Sequence, residues 1–127
     1  MKLSSVAIEA RNAHSLCIAL IEQGWIPAKP DYDEGVDLMA WHEKRGKTRA
    51  IQLKGRLTVA KKYLGRGIWL AFPASGWWYM VSHDWVLEQK PEVKKTKSWK
   101  HGGEYNWPRL TAEWSRKLKP YRFAKAR

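Results

Sequence analysis

Two runs of alternating or apolar character, joined across a charged turn that holds one glycine, constrain this chain more than anything else in it. The first is Gly35-Val36-Asp37-Leu38-Met39-Ala40-Trp41-His42, and the second is Arg49-Ala50-Ile51-Gln52-Leu53-Lys54-Gly55. Glu43 to Thr48 lies between them. Runs of this length bounded by turn residues read as the strands of a hairpin. A turn centred on Arg45-Gly46 sets Asp37 opposite Lys54 and Met39 opposite Gln52. Residues that face each other across an antiparallel pair share a sheet face. Asp37, Gln52 and Lys54 therefore share one face. Leu38, Ala40, Ile51 and Leu53 share the other, which is apolar and belongs to a core. A slip of one residue in the turn would send Asp37 to the core face, because the side-chain period of a strand is two.

An acid, an amide and an amine on one face, in this order, resemble the PD-(D/E)XK nuclease superfamily of restriction enzymes, Holliday-junction resolvases and some homing endonucleases. Asp37 matches the family's aspartate. Gln52-Leu53-Lys54 matches its acid-x-Lys triplet, with Gln in place of the acid, as some branches have it. Glu9 in Val6-Ala7-Ile8-Glu9-Ala10 fits the helix glutamate that often precedes the sheet. The resemblance spans roughly Ser4 to Ser82. It implies a restriction-endonuclease-like core and a catalytic set of Glu9, Asp37, Gln52 and Lys54. It also implies a metal shell of Glu9, Asp37, Gln52 and the backbone carbonyl of Leu53. The ion is expected to be magnesium, with manganese as a substitute, because carboxylate and carbonyl oxygens suit a hard divalent cation. Such an ion polarises a phosphoryl oxygen and lowers the pKa of a bound water. Lys54 would orient that water or neutralise transition-state charge. Glu9 has a plainer reading as a first-turn acid on a helix dipole.

The remaining elements follow in chain order. Ser4 or Ser5 caps a helix running to about Gln23, with Val6, Ala10, Ala13, Cys17, Leu20 and Ile21 as its buried stripe. Trp25–Lys29 is a short edge strand, because Pro27 cannot donate to a ladder. Pro30–Gly35 is a turn rich in acids. Asp31 or Asp33 is an outer-shell group at most, and a calcium loop is excluded by the misplaced Gly and the missing terminal Glu. Val59–Leu64 reads as a short helix or irregular crossover. Ile68–Phe72 reads as a central strand, Trp77–Val81 as another, and Asp84–Gln89 as a helix capped by Ser82. The expected class is α/β, a mixed β-sheet flanked by helices in α-β-β-β-α-β-β order, with a basic C-terminal extension. Residues 1–89 form the nuclease-like core and residues 90–127 the Trp/Tyr-rich extension, packed on the core or contacting DNA. Residues 90–98 read as a linker. A helix from Pro108 to about Leu118 follows, with Asn106 as its cap.

Charge points to the partner. The chain of 127 residues carries +12, and residues 90–127 alone hold twelve basic against three acidic side chains. A field of that sign suits a polyanion such as DNA, duplex or branched. Arg56, Lys61, Lys62, Lys94, Lys95, Lys97, Lys100 and Arg109 are the candidate phosphate contacts, which position DNA without reading its sequence. The rival partner, an acidic membrane surface, is disfavoured because the basic segment has no long apolar helical face. No apolar run is long enough to span a membrane and no signal peptide is evident, so a cytoplasmic location is expected. The single cysteine, Cys17, fits a reducing compartment. No phosphate-binding glycine loop, zinc spacing or nucleophile elbow is present.

The expected activity is metal-dependent hydrolysis of DNA phosphodiesters by an endonuclease, with a structure-selective, resolvase-like enzyme as the leading form. A homing or restriction-type enzyme is the second form. A nucleic-acid-binding protein on a catalytically inactive nuclease fold is the alternative of a different class. Paired cuts call for two active sites, so a homodimer is expected, through the apolar side of the Pro108–Leu118 helix and the strand Trp77–Val81.

Overall fold

The computed structural model describes residues 2–31 and 34–126. Asp33 lies outside the described residues. The first helix, α1, runs Ser5–Glu22, and the Ser4 hydroxyl caps it by accepting from the Ala7 N–H at 3.1 Å. It stops at Gln23, where Gly24 takes φ +91°, a left-handed conformation that glycine adopts without steric cost. Its buried residues are Leu16, Ala19 and Leu20. Of the expected stripe only Leu20 is fully buried, while Val6 is 73% and Ile21 60% exposed. The reason is length. At 1.5 Å per residue α1 is about 27 Å long, and only its second half packs on the sheet. Val6 and Ala10 fall in the exposed first half, and Ile21, in the second half, faces away from the side that buries Leu16, Ala19 and Leu20. Cys17 is half-buried beside the α1 core, and burial pushes its thiol pKa up.

Strands β1 (Trp25–Ala28), β2 (Leu38–His42) and β3 (Thr48–Leu53) form an antiparallel meander, with β1 at the sheet edge as Pro27 requires. The pairs are Leu38↔Ile51, Met39↔Ala50, Ala40↔Arg49 and Trp41↔Thr48. This differs from the sequence register by two residues. The turn spans four residues, closed by His42 N–H to Lys47 O at 2.8 Å, and Gly46 takes φ +63° at its last position rather than its centre. A shift of two leaves every side chain on its expected face. Only the facing partners change, so continuing the ladder sets Asp37 across from Gln52 instead of Lys54.

After β3 the chain makes β4 (Leu57–Ala60) and a 3-10 turn at Lys61–Tyr63, then returns as β5 (Ile68–Ala74), parallel to β3. Of the helix or loose crossover expected at Val59–Leu64, Val59 and Ala60 are the end of a buried strand and Lys61–Tyr63 are the 3-10 turn. Strand β6 (Trp77–Ser82) pairs antiparallel with β5 and leads into α2 (His83–Gln89), whose N-cap position is Ser82. Residues Pro91–Lys95 form a further 3-10 turn with Val93 buried, not a linker. The basic segment then supplies β7 (Glu104–Trp107), α3 (Ala112–Leu118) and β8 (Arg122–Lys125). Asn106 is a strand residue, and the cap of α3 is Thr111, whose hydroxyl accepts from the Trp114 N–H at 3.1 Å.

Among the described residues the strands form one six-stranded mixed sheet, β1-β2-β3-β5-β6-β8, and a two-stranded ribbon, β4-β7. Leu16, Ala19 and Leu20 of α1 meet Leu38, Ala40, Ile51, Trp78 and Met80 on one sheet face. Leu70, Phe72, Tyr79 and Val81 on the other face meet the ribbon, α2 and α3. The molecule is therefore a mixed α/β fold with helices on both sides of its sheet. Trp114, Leu118, Trp78, Tyr79 and Val81 are all buried within the chain, so the contact surface expected for a dimer faces this chain's own core. Among the described residues no helix is long and apolar enough to cross a membrane.

Candidate active site

The hairpin ladder stops at Leu38↔Ile51, and the Asp37 side chain extends it. The Leu53 N–H, next in line for a partner on that side, donates to Asp37 Oδ2 at 2.7 Å. On its far side the triplet is tied to β5, where the Lys54 N–H donates to Ala71 O at 3.0 Å. Asp37 and the Gln52-Leu53-Lys54 triplet thus meet at one end of the sheet. Strand alternation gives Asp37, Gln52 and Lys54 the face opposite α1. Gln52 is 4% exposed, and Asp37 and Lys54 are half-buried. The Asp37–Leu53 bond has a structural function whatever else the acid does, since it satisfies a backbone donor at a ladder end.

Glu9 belongs to the other layer. The two-residue turn at Gln23-Gly24 sends β1 back along α1, so the N-terminal half of α1 runs toward the end of the sheet where Asp37 stands. Glu9 is exposed there. No hydrogen bond or ion pair joins it to Asp37, Gln52 or Lys54. Asp31 is exposed in the turn before Glu34. Among the described residues no group of three or more His, Cys, Asp or Glu side chains comes together. Among the described residues the oxygen donors gathered at the sheet end are the Asp37 carboxylate, the Gln52 amide and main-chain carbonyls. That set fits magnesium of the weakly held kind, which takes one or two carboxylates and completes its shell with substrate phosphates and water.

A brace behind the loop before Asp37 is not visible in the sequence. His83 is 1% exposed, and its Nε2 accepts from the Ala60 N–H at 3.0 Å. Its Nδ1 therefore carries the proton, donated to Asp84 Oδ1 at 3.1 Å, while Asp84 Oδ2 accepts from the Gly65 N–H at 2.9 Å. Tyr63 stands edge-on to the His83 ring. Its own ring fills the space that a Cβ at Gly35 would need, and Gly35 has φ +84°. Arg66 reaches Glu34 at 3.7 Å across the same loop. Only the Gly at position 35 hinted at this, as a turn residue. A second unforeseen contact lies in the α1 layer, where the Arg49 guanidinium sits 3.7 Å from the centre of the Trp69 ring and 4.9 Å from that of Trp25.

Arg56 and Arg109 lie at one end of the β4-β7 ribbon, and Lys61, Lys62 and Lys100 at the other. Arg56 Nη1 donates to Asn106 Oδ1 at 3.3 Å. Arg56 and Arg109 both line a cleft of about 370 Å³ whose lining includes Gly55, the residue after Lys54. At the other end the Lys61 N–H donates to Gly103 O at 2.7 Å, and the Lys61 ammonium lies 5.4 Å from the Trp99 ring centroid. This brings Lys61 and Lys62 to the turn that carries Lys100. Lys94, Lys95, Lys97 and Lys100 are all exposed. Arg56 and Lys61 are five strand steps apart, roughly 17 Å. Comparison of the chain with protein-family models, with curated proteins and with solved structures gives no match.

Proposed function

We propose that the protein is a metal-dependent DNA endonuclease of the PD-(D/E)XK kind, with a preference for branched over linear DNA. The observation that carries this is the closure of Asp37 onto the Gln52-Leu53-Lys54 strand through the Leu53 N–H. It joins the two halves of the motif at a sheet end beside two arginines. The restriction-endonuclease-like core is supported by the element order: a helix, three antiparallel strands, then a strand parallel to the third. In this chain a strand and a 3-10 turn stand where the sequence suggested a crossover helix.

Asp37, the Gln52 amide oxygen and the Leu53 carbonyl are the proposed ligands of magnesium or manganese, with Glu9 approaching along α1. When bound, the ion supplies charge neutralisation at the phosphate and a more acidic water. Lys54 holds the attacking water in line or stabilises the charge that builds on the phosphoryl oxygens. Arg56 and Arg109 hold the strand beside the cut, and Lys61, Lys62, Lys94, Lys95, Lys97 and Lys100 hold backbone farther off. If two copies act together, they meet through a surface other than the buried faces of α3 and β6.

The second reading is a DNA-binding protein on an inactive nuclease fold. It is favoured by Gln52, which stands where the motif has an acid and adds no charge beside Asp37. One experiment separates the two: incubation with four-way, nicked and linear DNA in magnesium, in manganese and in chelator. Cleavage is expected in either metal and none in chelator, fastest on the branched substrate. Tight binding of all three with no cleavage in either metal would establish the second reading instead.

A further inference from the structure

The cleft at the arginine end of the ribbon is built for more than a phosphate. Arg56 and Arg109 are exposed at it, and among the described residues no carboxylate forms an ion pair with either. Arg56 spends one of its five N–H donors on Asn106. The remaining donors of two guanidinium side chains lining one cleft call for an anion, and planar forks suit phosphate in particular. The rest of the lining has the opposite character. Leu57 and Leu110, Pro73 and Ala74 are apolar, and Trp107 forms an aromatic wall. Trp107 is fixed in place by edge contacts to Tyr105 at 4.7 Å and Trp114 at 5.1 Å. At about 370 Å³ the cleft falls within the size range of small-ligand sites, roughly 300–1,000 Å³.

A cleft lined by two arginines and a tryptophan matches a nucleotide, phosphate to the guanidinium groups and base to the indole. Bases inside a duplex are stacked and cannot reach such a wall. We infer that this cleft receives one unpaired nucleotide of a DNA strand, such as the first residue of an overhang or flap. The inference rests on the nucleic-acid reading of the site, and it adds to that reading a preference for DNA with an unpaired end. It does not depend on catalysis. Gly55, the residue after Lys54, lines the cleft, so a strand seated in it runs beside the sheet end.

The test uses the full chain in chelator, where nothing is cut. Binding of a blunt duplex and of the same duplex with a short single-stranded overhang is measured by fluorescence anisotropy. Stacking of one base on an aromatic wall is worth about a tenfold gain in affinity for the overhang. Arg109→Glu and Arg56→Gln should each remove that preference without lowering the melting temperature. In parallel, 5-iodouracil at the first overhang position is photocrosslinked and the adduct mapped by mass spectrometry. The adduct is expected on Trp107 and should vanish in Trp107→Leu. Equal affinity for blunt and overhang duplex in the wild type would overturn the inference, as would an adduct mapped away from residues 104–110. Overhang preference without cleavage in magnesium would sink the nuclease and leave the cleft intact. Cleavage without overhang preference would do the reverse.

Discussion

Asp37 does two things that ordinary mutagenesis would confuse, and its two substitutions separate them. Asp37→Asn keeps a carbonyl oxygen that can accept from the Leu53 N–H; Asp37→Ala leaves that donor without its partner. In denaturant unfolding the alanine variant should lose about 1–2 kcal/mol and the asparagine variant little. Both should lose cleavage, because neither carries the ligand charge. Full activity in Asp37→Asn would reduce the residue to a strand-end tie. Gly35, two residues earlier, is held by a neighbour rather than by a turn motif. Alanine there meets a left-handed backbone, costing on the order of 1–3 kcal/mol, and also collides with the Tyr63 ring. Gly35→Ala should therefore cost measurably less in a Tyr63→Ala background than in the wild type. Strict additivity of the two substitutions in a double-mutant cycle would contradict the contact. The Asp37–Gln52–Lys54 face was legible from strand alternation alone. The Tyr63–His83–Asp84 brace was not, because its members lie on separate elements and nothing in their spacing links them.

At the scale of elements, sequence pattern served well where contacts are local. The hairpin, a strand at β5 and the β6-to-α2 passage all follow from apolar runs and turn residues, whereas the parallel pairing of β5 with β3 does not. The hairpin register was misread by two residues, yet the faces held because the error was even. It served poorly where a short segment becomes a strand only by pairing with a distant one. Glu104-Tyr105-Asn106-Trp107 alternates polar and aromatic side chains but over four residues only, and it is a strand because β4 lies beside it. Arg122–Lys125 likewise depends on β6. The two faces of the sheet also differ in how they treat a buried tryptophan. Trp78 is 1% exposed, and its indole N–H donates to Ser15 Oγ at 3.1 Å. Trp114 is 0% exposed, and its indole N–H is buried with no acceptor among the described residues. Phenylalanine at 78 gives up a hydrogen bond, whereas phenylalanine at 114 relieves a desolvated donor. Trp78→Phe should be the more destabilising by about 1 kcal/mol in chemical unfolding. The opposite order would mean that Trp114 has a partner the structure does not reveal.

For the whole molecule, charge and fold are interwoven. The segment with most of the positive charge also supplies an edge strand of the main sheet and the buried side chains of Trp99, Trp114 and Leu118. Deleting it to test DNA binding would remove part of the core. Changing exposed Lys94, Lys95, Lys97 and Lys100 together to Glu avoids this. If each touches one phosphate, the slope of log affinity against log salt should flatten by about 3–4 units at unchanged melting temperature. An unchanged slope would leave the Arg56 and Arg109 end of the ribbon as the DNA surface. The claim on which the rest depends is that Lys54 works beside Asp37 in phosphodiester hydrolysis. The most direct measurement is the initial rate of cleavage of branched DNA in magnesium by wild type and by Lys54→Ala, at protein concentrations giving equal bound DNA. The wild type should cut only with metal, and the variant should bind but cut slower by at least about a hundredfold, the loss typical of removing one charge-stabilising donor. Equal rates in the two proteins would contradict the assignment of this site.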